Sequence, residues 1–457
     1  MSQASLTFCG GVGSVTGANF LLEVGNKKIL IDCGMVQGSR FADEDNRKSF
    51  PYAPQSIDYL LVTHAHIDHI GRIPRLCAEG FRGTIYSTPE THALARIMLE
   101  DALKLIEEEC RERGTLPLYE HKDVVAALSL WKDISYHQTF ELFPEVSLYL
   151  KDAGHILGSA MYEVHFSTSS GKRRKIVFTG DLGNSPTPIL KDTEAITDAD
   201  YLVMESVYGD RNHENRESRL ESLGQIVKDA VARKGTLIIP TFSLEKTQVL
   251  LYEFHQLEKK HAIPSIPVFL DSPLAIEVTK IYQAMRQNFN SAAFAEDEKS
   301  DIFRFPNLKF TPHSEESKAI LRVPAPKVVL AGSGMSHGGR ILHHEVNYLP
   351  GSQNTILFVG YQAAGSLGRQ IQDGAKEVHI NGQKVPVRAR VETISGYSSH
   401  KDSEHLVEFV ESTAKTVKQV FVVMGEPKAA LFLVQRLRDY LGVNAMHPEL
   451  GQKVELK

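Results

Sequence analysis

Ile57-Asp58-Tyr59-Leu60-Leu61-Val62-Thr63-His64-Ala65-His66-Ile67-Asp68-His69 begins as an apolar strand and breaks into four potential metal ligands within six residues. Gly71 and Pro74 follow, marking a loop that enters a helix. By residue frequency, H-x-H-x-D-H should arise by chance roughly 0.002 times in a chain of this length. A plain surface loop gains little from three histidines and an aspartate. Imidazole nitrogens and carboxylate oxygens suit borderline divalent ions, above all zinc. Alternate residues of an irregular loop can turn His64 and His66 toward one ion, leaving Asp68 and His69 for a neighbouring one.

Working outward, the same design recurs. SLYLKDAGH ends on His155, RKIVFTGD on Asp181 and DYLVMESVYGD presents Glu205, each after an apolar strand and a turn, while SGYSSHKD offers His400. Asp181 suits a bridging role, because a carboxylate has two oxygens and a buried strand holds its backbone still. Asp32, at the end of KKILIDCG, is expected to orient a ligand histidine from behind. Taken singly, ordinary turn chemistry is the minor alternative at His155, Asp181 and His400, and a structural ion pair the minor alternative at Glu205; taken together, these positions supply the ligands that one loop lacks.

The 457 residues exceed what one hydrophobic core serves, so more than one domain is expected. With 42% hydrophobic and 23% charged residues, composition excludes collagen, coiled coil and wholesale disorder. No run reaches the roughly 18 apolar residues of a membrane helix, and MSQASLTFCGG has neither a basic start nor an apolar signal core, so no membrane and a cytoplasmic location are expected. Cys9, Cys33, Cys77 and Cys110 form no CxxC pair and read as reduced core or near-core thiols. A net charge of -5 advertises no global affinity for a polyanion, so any nucleic-acid contact must come from a local groove.

Strands joined by the Gly25-Asn26 turn open the chain, and THALARIMLEDALKLIEEECRERG reads as a long amphipathic helix closed by Gly114. From about Gly209, helices alternate with the buried strands GTLIIPTF, IPVFLDSP, KVVLAGSG and NTILFVGY, as in a parallel α/β unit. QVFVVMG and a helix through AALFLVQRLRDYLG resume the first style.

The order Asp32, HAHIDH, His155, Asp181 resembles the metallo-β-lactamase signature, and ESVYGD, GSGMSHGGR, GYQAAGSLGRQ and SGYSSHKD resemble the β-CASP branch of RNA-processing nucleases. The resemblance covers essentially the whole chain. It implies an α/β protein: an αββα metallo-β-lactamase sandwich (1–208, completed by 369–457) with an inserted parallel α/β β-CASP domain (209–368) capping the metal cleft. Two Zn2+ per chain are implied, one on His64, His66 and His155, the other on Asp68, His69 and His400, with Asp181 between them. Glu205 matches the first β-CASP motif. His400 matches the third, where RNA-acting members similarly carry histidine. At the second motif Gln370 stands where many RNA-processing members have a histidine, so the general acid stays open, with His337 and a metal-held water as candidates.

The implied activity is hydrolysis of single-stranded RNA through a hydroxide bridging two ions, leaving a 5′-phosphate and a 3′-hydroxyl, endo- or 5′-to-3′ exonucleolytic. Asp68, Glu205, Gln370 and His400 are the candidate catalytic residues. Two alternatives stay open: a metallo-hydrolase of small esters or thioesters, and a non-catalytic RNA-binding subunit. A homodimer is a candidate assembly. Gly332 to Arg340 is a candidate phosphate cradle through Ser333, His337, Gly338 and Arg340, although a tight loop entering a helix gives the same letters. Arg211, Lys246 and Arg369 are candidates for a basic groove, and His343 and His344 are expected on a helix surface.

Overall fold

The computed structural model describes residues 4–38, 41–168, 171–213, 218–298, 300–360, 362–363 and 365–457. The chain forms two compact units: residues 1–187, 191–212 and 399–457, and residues 188–190 and 213–398.

Two seven-stranded sheets make the first unit. One runs, edge to edge, Lys453–Leu456, Ala4–Gly10, Asn19–Val24, Lys27–Ile31, Tyr59–Leu61, Thr84–Ser87, Trp131–Asp133. Its hairpin turns at Gly25-Asn26, where Val24 pairs with Lys27. From Lys27–Ile31 onward the strands are parallel and need crossovers, supplied by helices such as Ile73–Ala78 and Pro89–Arg113. Leu60 and Leu61 point to opposite faces yet are both fully buried, so this sheet is covered on both sides. Thr88 caps the long helix and Gly114, in left-handed backbone at φ 68°, ends it.

The second sheet runs Ala445–Met446, Gln419–Val422, Tyr201–Met204, Arg173–Phe178, Ala160–Ser167, Val146–Asp152, Phe140–Phe143. Between the sheets, Phe8, Phe20, Leu22 and Ile31 meet Tyr162, Val164, Phe178 and Phe421. The Phe8 and Phe421 rings lie 5.2 Å apart. On the outer face of the second sheet, Leu406 and Val410 of helix Ser403–Glu411 and Leu433 and Leu437 of helix Pro427–Leu441 cover Leu202, Val420 and Val422. The result is the αββα sandwich.

The second unit is built on six parallel strands, in order Leu308–Phe310, Val268–Asp271, Lys327–Ala331, Thr236–Pro240, Thr355–Phe358, Arg390–Thr393. By backbone contacts the second unit runs through residue 398. The cause is register: Arg390–Thr393 hydrogen-bonds to Thr355–Phe358, so the sheet holds the chain for another strand. Cys33, Cys77 and Cys110 are buried thiols and Cys9 is half-buried. Among the described residues no helix is long and apolar enough to cross a membrane.

Phe421 joins the two sheets and is fully buried. Phe421→Ala should therefore destabilise its unit by about 3–5 kcal/mol, read as a lower denaturant midpoint by circular dichroism.

Candidate metal centre

The HAHIDH segment is held by its own backbone. Carbonyls of Ile67, Asp68 and His69 accept N–H groups from Met35, Ala18 and Cys33 at 2.8–3.0 Å. Gly34 is required there, since a Cβ on it would fall 1.5 Å from the Asp68 carbonyl oxygen. His155 and Asp181 follow strands of the second sheet, and Glu205 follows Tyr201–Met204. His400 is brought in by backbone pairing: it bridges to Gly183, and Lys401 N–H donates to Leu182 O at 2.9 Å.

Proton bookkeeping on the rings defines the donors. His69 Nδ1 donates to Asp32 Oδ2 at 2.8 Å, His155 Nδ1 to the Ser399 carbonyl at 3.2 Å, and His400 Nδ1 to Glu205 at 3.1 and 3.2 Å. Thr63 Oγ1 donates to Asp32 Oδ2 at 2.8 Å and so accepts from His64 Nδ1 at 3.1 Å. With Nδ1 carrying the proton, each of these rings offers its Nε2 lone pair. His66 differs, facing the cluster with Nδ1.

The lone pairs converge. His66 Nδ1 lies 3.1 Å from His64 Nε2 and 3.2 Å from His155 Nε2; Asp181 Oδ2 lies 3.4 and 3.6 Å from the same two Nε2 atoms. One proton on His66 can satisfy only one of these contacts well. A tetrahedral ion about 2.0–2.1 Å from each donor would separate the donors by about 3.4 Å, so the spacing fits an ion. On the other side of Asp181, Oδ1 lies 3.3 Å from His69 Nε2, which is 3.9 Å from Asp68 Oδ2. His69 Nε2 and Asp181 Oδ1 are buried with no hydrogen-bond partner. Such orphaned atoms are costly unless a cation meets them. Asp181, Glu205 and His400 also offer ligand atoms within 4.8 Å of one another. The residues present fit metal.

Electrostatics agree. Burial and the neighbouring imidazoles hold His66 and His155 well below the usual histidine range, so both are neutral donors. Burial opposes ionisation of Asp181, yet His69 and His64 outweigh it and hold the carboxyl well below its ordinary value. Burial likewise opposes charge on His69, but Asp181 and Asp32 win and raise it well above the ordinary range. The pocket calls for positive charge between His69 and Asp181.

His64, His66, Asp68, His69, His155, Asp181 and His400 thus come together, with Asp32 behind His69. Glu205, fully buried, accepts from His400 Nδ1 and from Leu182 N–H at 2.6 Å; it orients a ligand. Thr63, which links Asp32 to His64, was missed in the sequence, where it is one more hydroxyl at a strand end. Other assignments change. Lys246 donates to the Tyr397 carbonyl, and burial lowers its pKa to about 7. Arg369 is engaged by Asp373 through both carboxylate oxygens at 2.9 Å, and exposed Gln370 donates to the Gly365 carbonyl at 3.4 Å.

The Gly332–Arg340 loop is pinned rather than open. Ser333 Oγ accepts the His337 N–H at 2.9 Å and Ser333 N–H donates to Gly338 O at 3.1 Å, which removes two expected phosphate donors. The Arg340 guanidinium donates to Asp271 at 2.7 Å and to the Pro312 carbonyl at 2.9 Å. His344, expected on a surface, is fully buried and 2.7 Å from Asp271; His343 is exposed. Ser336 Oγ donates to Glu345, whose carboxyl burial pushes up to about 8.

Three family models match the chain: a metallo-beta-lactamase superfamily domain at 21–204, a Beta-Casp domain at 247–371, and a Zn-dependent metallo-hydrolase RNA specificity domain at 384–448. The chain is 37% identical over 425 residues to a ribonuclease of Thermus thermophilus, covering 93% of this chain and 94% of that protein. It is 31% identical over 458 residues to the transcription termination factor FttA of Methanosarcina mazei, covering 96% of this chain and 69% of that protein. A crystal structure of a protein of unknown function from Enterococcus faecalis shares the fold, with TM-score 0.57, 13% identity, and coverage of 99% of this chain and 100% of that one.

Asp32→Ala should weaken metal binding about 10–100-fold, measured by competition with a chromophoric chelator; unchanged affinity would remove Asp32 from the support of His69. Glu345, whose carboxyl in the folded protein titrates above its ordinary value of 4.5, stabilises the protein fully below that value and loses the contribution as pH rises through about 8. Glu345→Gln should therefore gain on wild type between pH 5 and 9, by at most about 1.4 kcal/mol per pH unit, in denaturation at both pH values.

Proposed function

The chain belongs to the β-CASP branch of the metallo-β-lactamase superfamily, and from that premise we propose that it is a zinc-dependent ribonuclease of the cytoplasm, hydrolysing phosphodiester bonds of single-stranded RNA to leave 5′-phosphate and 3′-hydroxyl ends. One observation carries the reading: two buried donor sets meet on the two oxygens of Asp181. The relatives named ribonuclease and transcription termination factor, and the match to an RNA specificity domain, support RNA as the polymer.

In this reading His64, His66 and His155 would hold one zinc and Asp68, His69 and His400 the other, with Asp181 shared between them. Bound there, the pair supplies Lewis acidity, making a hydroxide nucleophile available near neutral pH and offsetting the charge that builds on the phosphoryl oxygens. The chain's own residues do the positioning. Asp32 fixes the His69 ring, Glu205 fixes the His400 ring, and Thr63 holds His64 in the tautomer that frees Nε2. Their fixed orientation means that little reorganisation is needed when charge develops. Gln370 carries an amide, which cannot release a proton near neutral pH, so the leaving 3′-oxygen takes its proton from another donor.

Asp68→Ala and His69→Ala should each lower cleavage of labelled single-stranded RNA by at least about 10³-fold, with unfolding midpoints near that of wild type. Wild-type turnover in either variant would refute the mechanism. Metal analysis of the active protein should return two zinc ions per chain, and chelation should abolish cleavage. Hydrolysis of small esters with none of RNA would move the assignment to a small-molecule hydrolase.

A further inference from the structure

The first unit carries aromatic and cationic side chains that begin at the metal centre and lead away from it. The Tyr208 ring lies 6.2 Å from that of His400, and the Arg211 guanidinium sits 5.2 Å over Tyr208. The Arg211 carbonyl accepts Ser403 N–H at 3.1 Å, and Ser403 Oγ accepts from Arg436 Nη1 at 2.8 Å. Arg436 in turn sits 5.3 Å over the Tyr440 ring. Lys428, Phe432, Arg436 and Tyr440 follow at intervals of four along helix Pro427–Leu441, hence on one side of it. Leu433, Val434 and Leu437 turn into the core instead.

Single exposed apolar residues need no explanation. Here Tyr440 is 71% exposed and Phe432 47%, and they alternate with cations. Asp210 lies 3.5 Å from Arg211 and 3.4 Å from Lys428, one carboxylate between two cations. Among the described residues no carboxylate lies within ion-pair distance of Arg436. Asp210 is the one carboxylate within ion-pair distance of these three cations among the described residues; Glu404, hydrogen-bonded to Asn212, and Asp439, bonded to Gln435, lie on helices Ser403–Glu411 and Pro427–Leu441. Flat rings separated by cations are what a single strand requires, since every base has a face to stack and every link a phosphate to neutralise.

We infer that this run is a binding track for single-stranded RNA outside the metal centre, with bases stacking on Tyr208, Phe432 and Tyr440 and phosphates meeting Arg211, Lys428 and Arg436. The inference rests on the ribonuclease reading and extends it to where the strand lies beyond the scissile bond. Continuity with His400 and the charge pattern favour RNA over a second copy of the chain. The helix also lies within 384–448, the stretch that matches the RNA specificity domain.

The test compares wild type, the double variant Arg436→Ala/Tyr440→Ala, Phe432→Ala, and a control, Leu450→Ala, at an exposed position outside the track. Substrates are fluorescein-labelled oligouridylates of about 4 to about 20 nucleotides, a range spanning known single-strand site sizes. For the double variant, KM should rise by about 10-fold or more on the longest strand, with a rise that shrinks as the strand shortens; Phe432→Ala should show a smaller rise and the control none. The same loss should appear as weaker binding in fluorescence anisotropy with chelator present. A length dependence identical to wild type would overturn the track, as would a wild-type dimer that the double variant dissociates in sedimentation, which would assign the face to a second copy. If the wild type binds long strands but cleaves none with any metal, the hydrolase reading fails while the track stands or falls on the anisotropy alone.

Discussion

A buried carboxylate shared between two sets of imidazoles is the constraint from which the rest of the site follows. Asp181 is 3% exposed, and its two oxygens face His64 and His155 on one side and His69 on the other. Leaving such a charge uncompensated in low dielectric is costly, so its neighbours must either bear positive charge or share a cation with it. The sandwich serves this need. Its two sheets are locked by Phe8, Phe20, Phe178 and Phe421, and the loops after their strands carry the donors, so rigid backbone fixes where the ligands stand.

Around this centre the supporting atoms are as specific as the donors. Asp32 sits in left-handed backbone at φ 57° and accepts from Thr63 N–H, Thr63 Oγ1 and His69 Nδ1, so one strained residue orders both the strand end and two rings. Strain of this kind persists only where several bonds over-determine it. Glu205 plays the corresponding part for His400, which comes from a segment far along the chain and is placed by pairing with Gly183. Donors from four separate segments are thereby oriented before any ion arrives.

Much of this was legible in the sequence because it is written in local patterns. HAHIDH combines three ring donors and a carboxylate at ligand spacing, and the turns that present His155 and Asp181 end apolar strands. The parallel strands of the inserted unit were readable as buried β-branched runs. What stayed hidden depends on partners distant in sequence. That Arg390–Thr393 extends the inserted sheet is a matter of register with Thr355–Phe358, which composition does not reveal. His344 sits on an amphipathic helix, and only its pairing with Asp271, remote in the chain, explains its burial. Lys246 read as a candidate groove cation, and its bond to the Tyr397 carbonyl, remote in the chain, was not visible in the sequence.

Anomalous diffraction at the zinc edge, on crystals grown with zinc, bears most directly on the central claim. The account predicts two peaks flanking the Asp181 carboxylate, one among His64, His66 and His155, the other among Asp68, His69 and His400. A single peak away from Asp181, or none with the imidazoles turned apart, would contradict it.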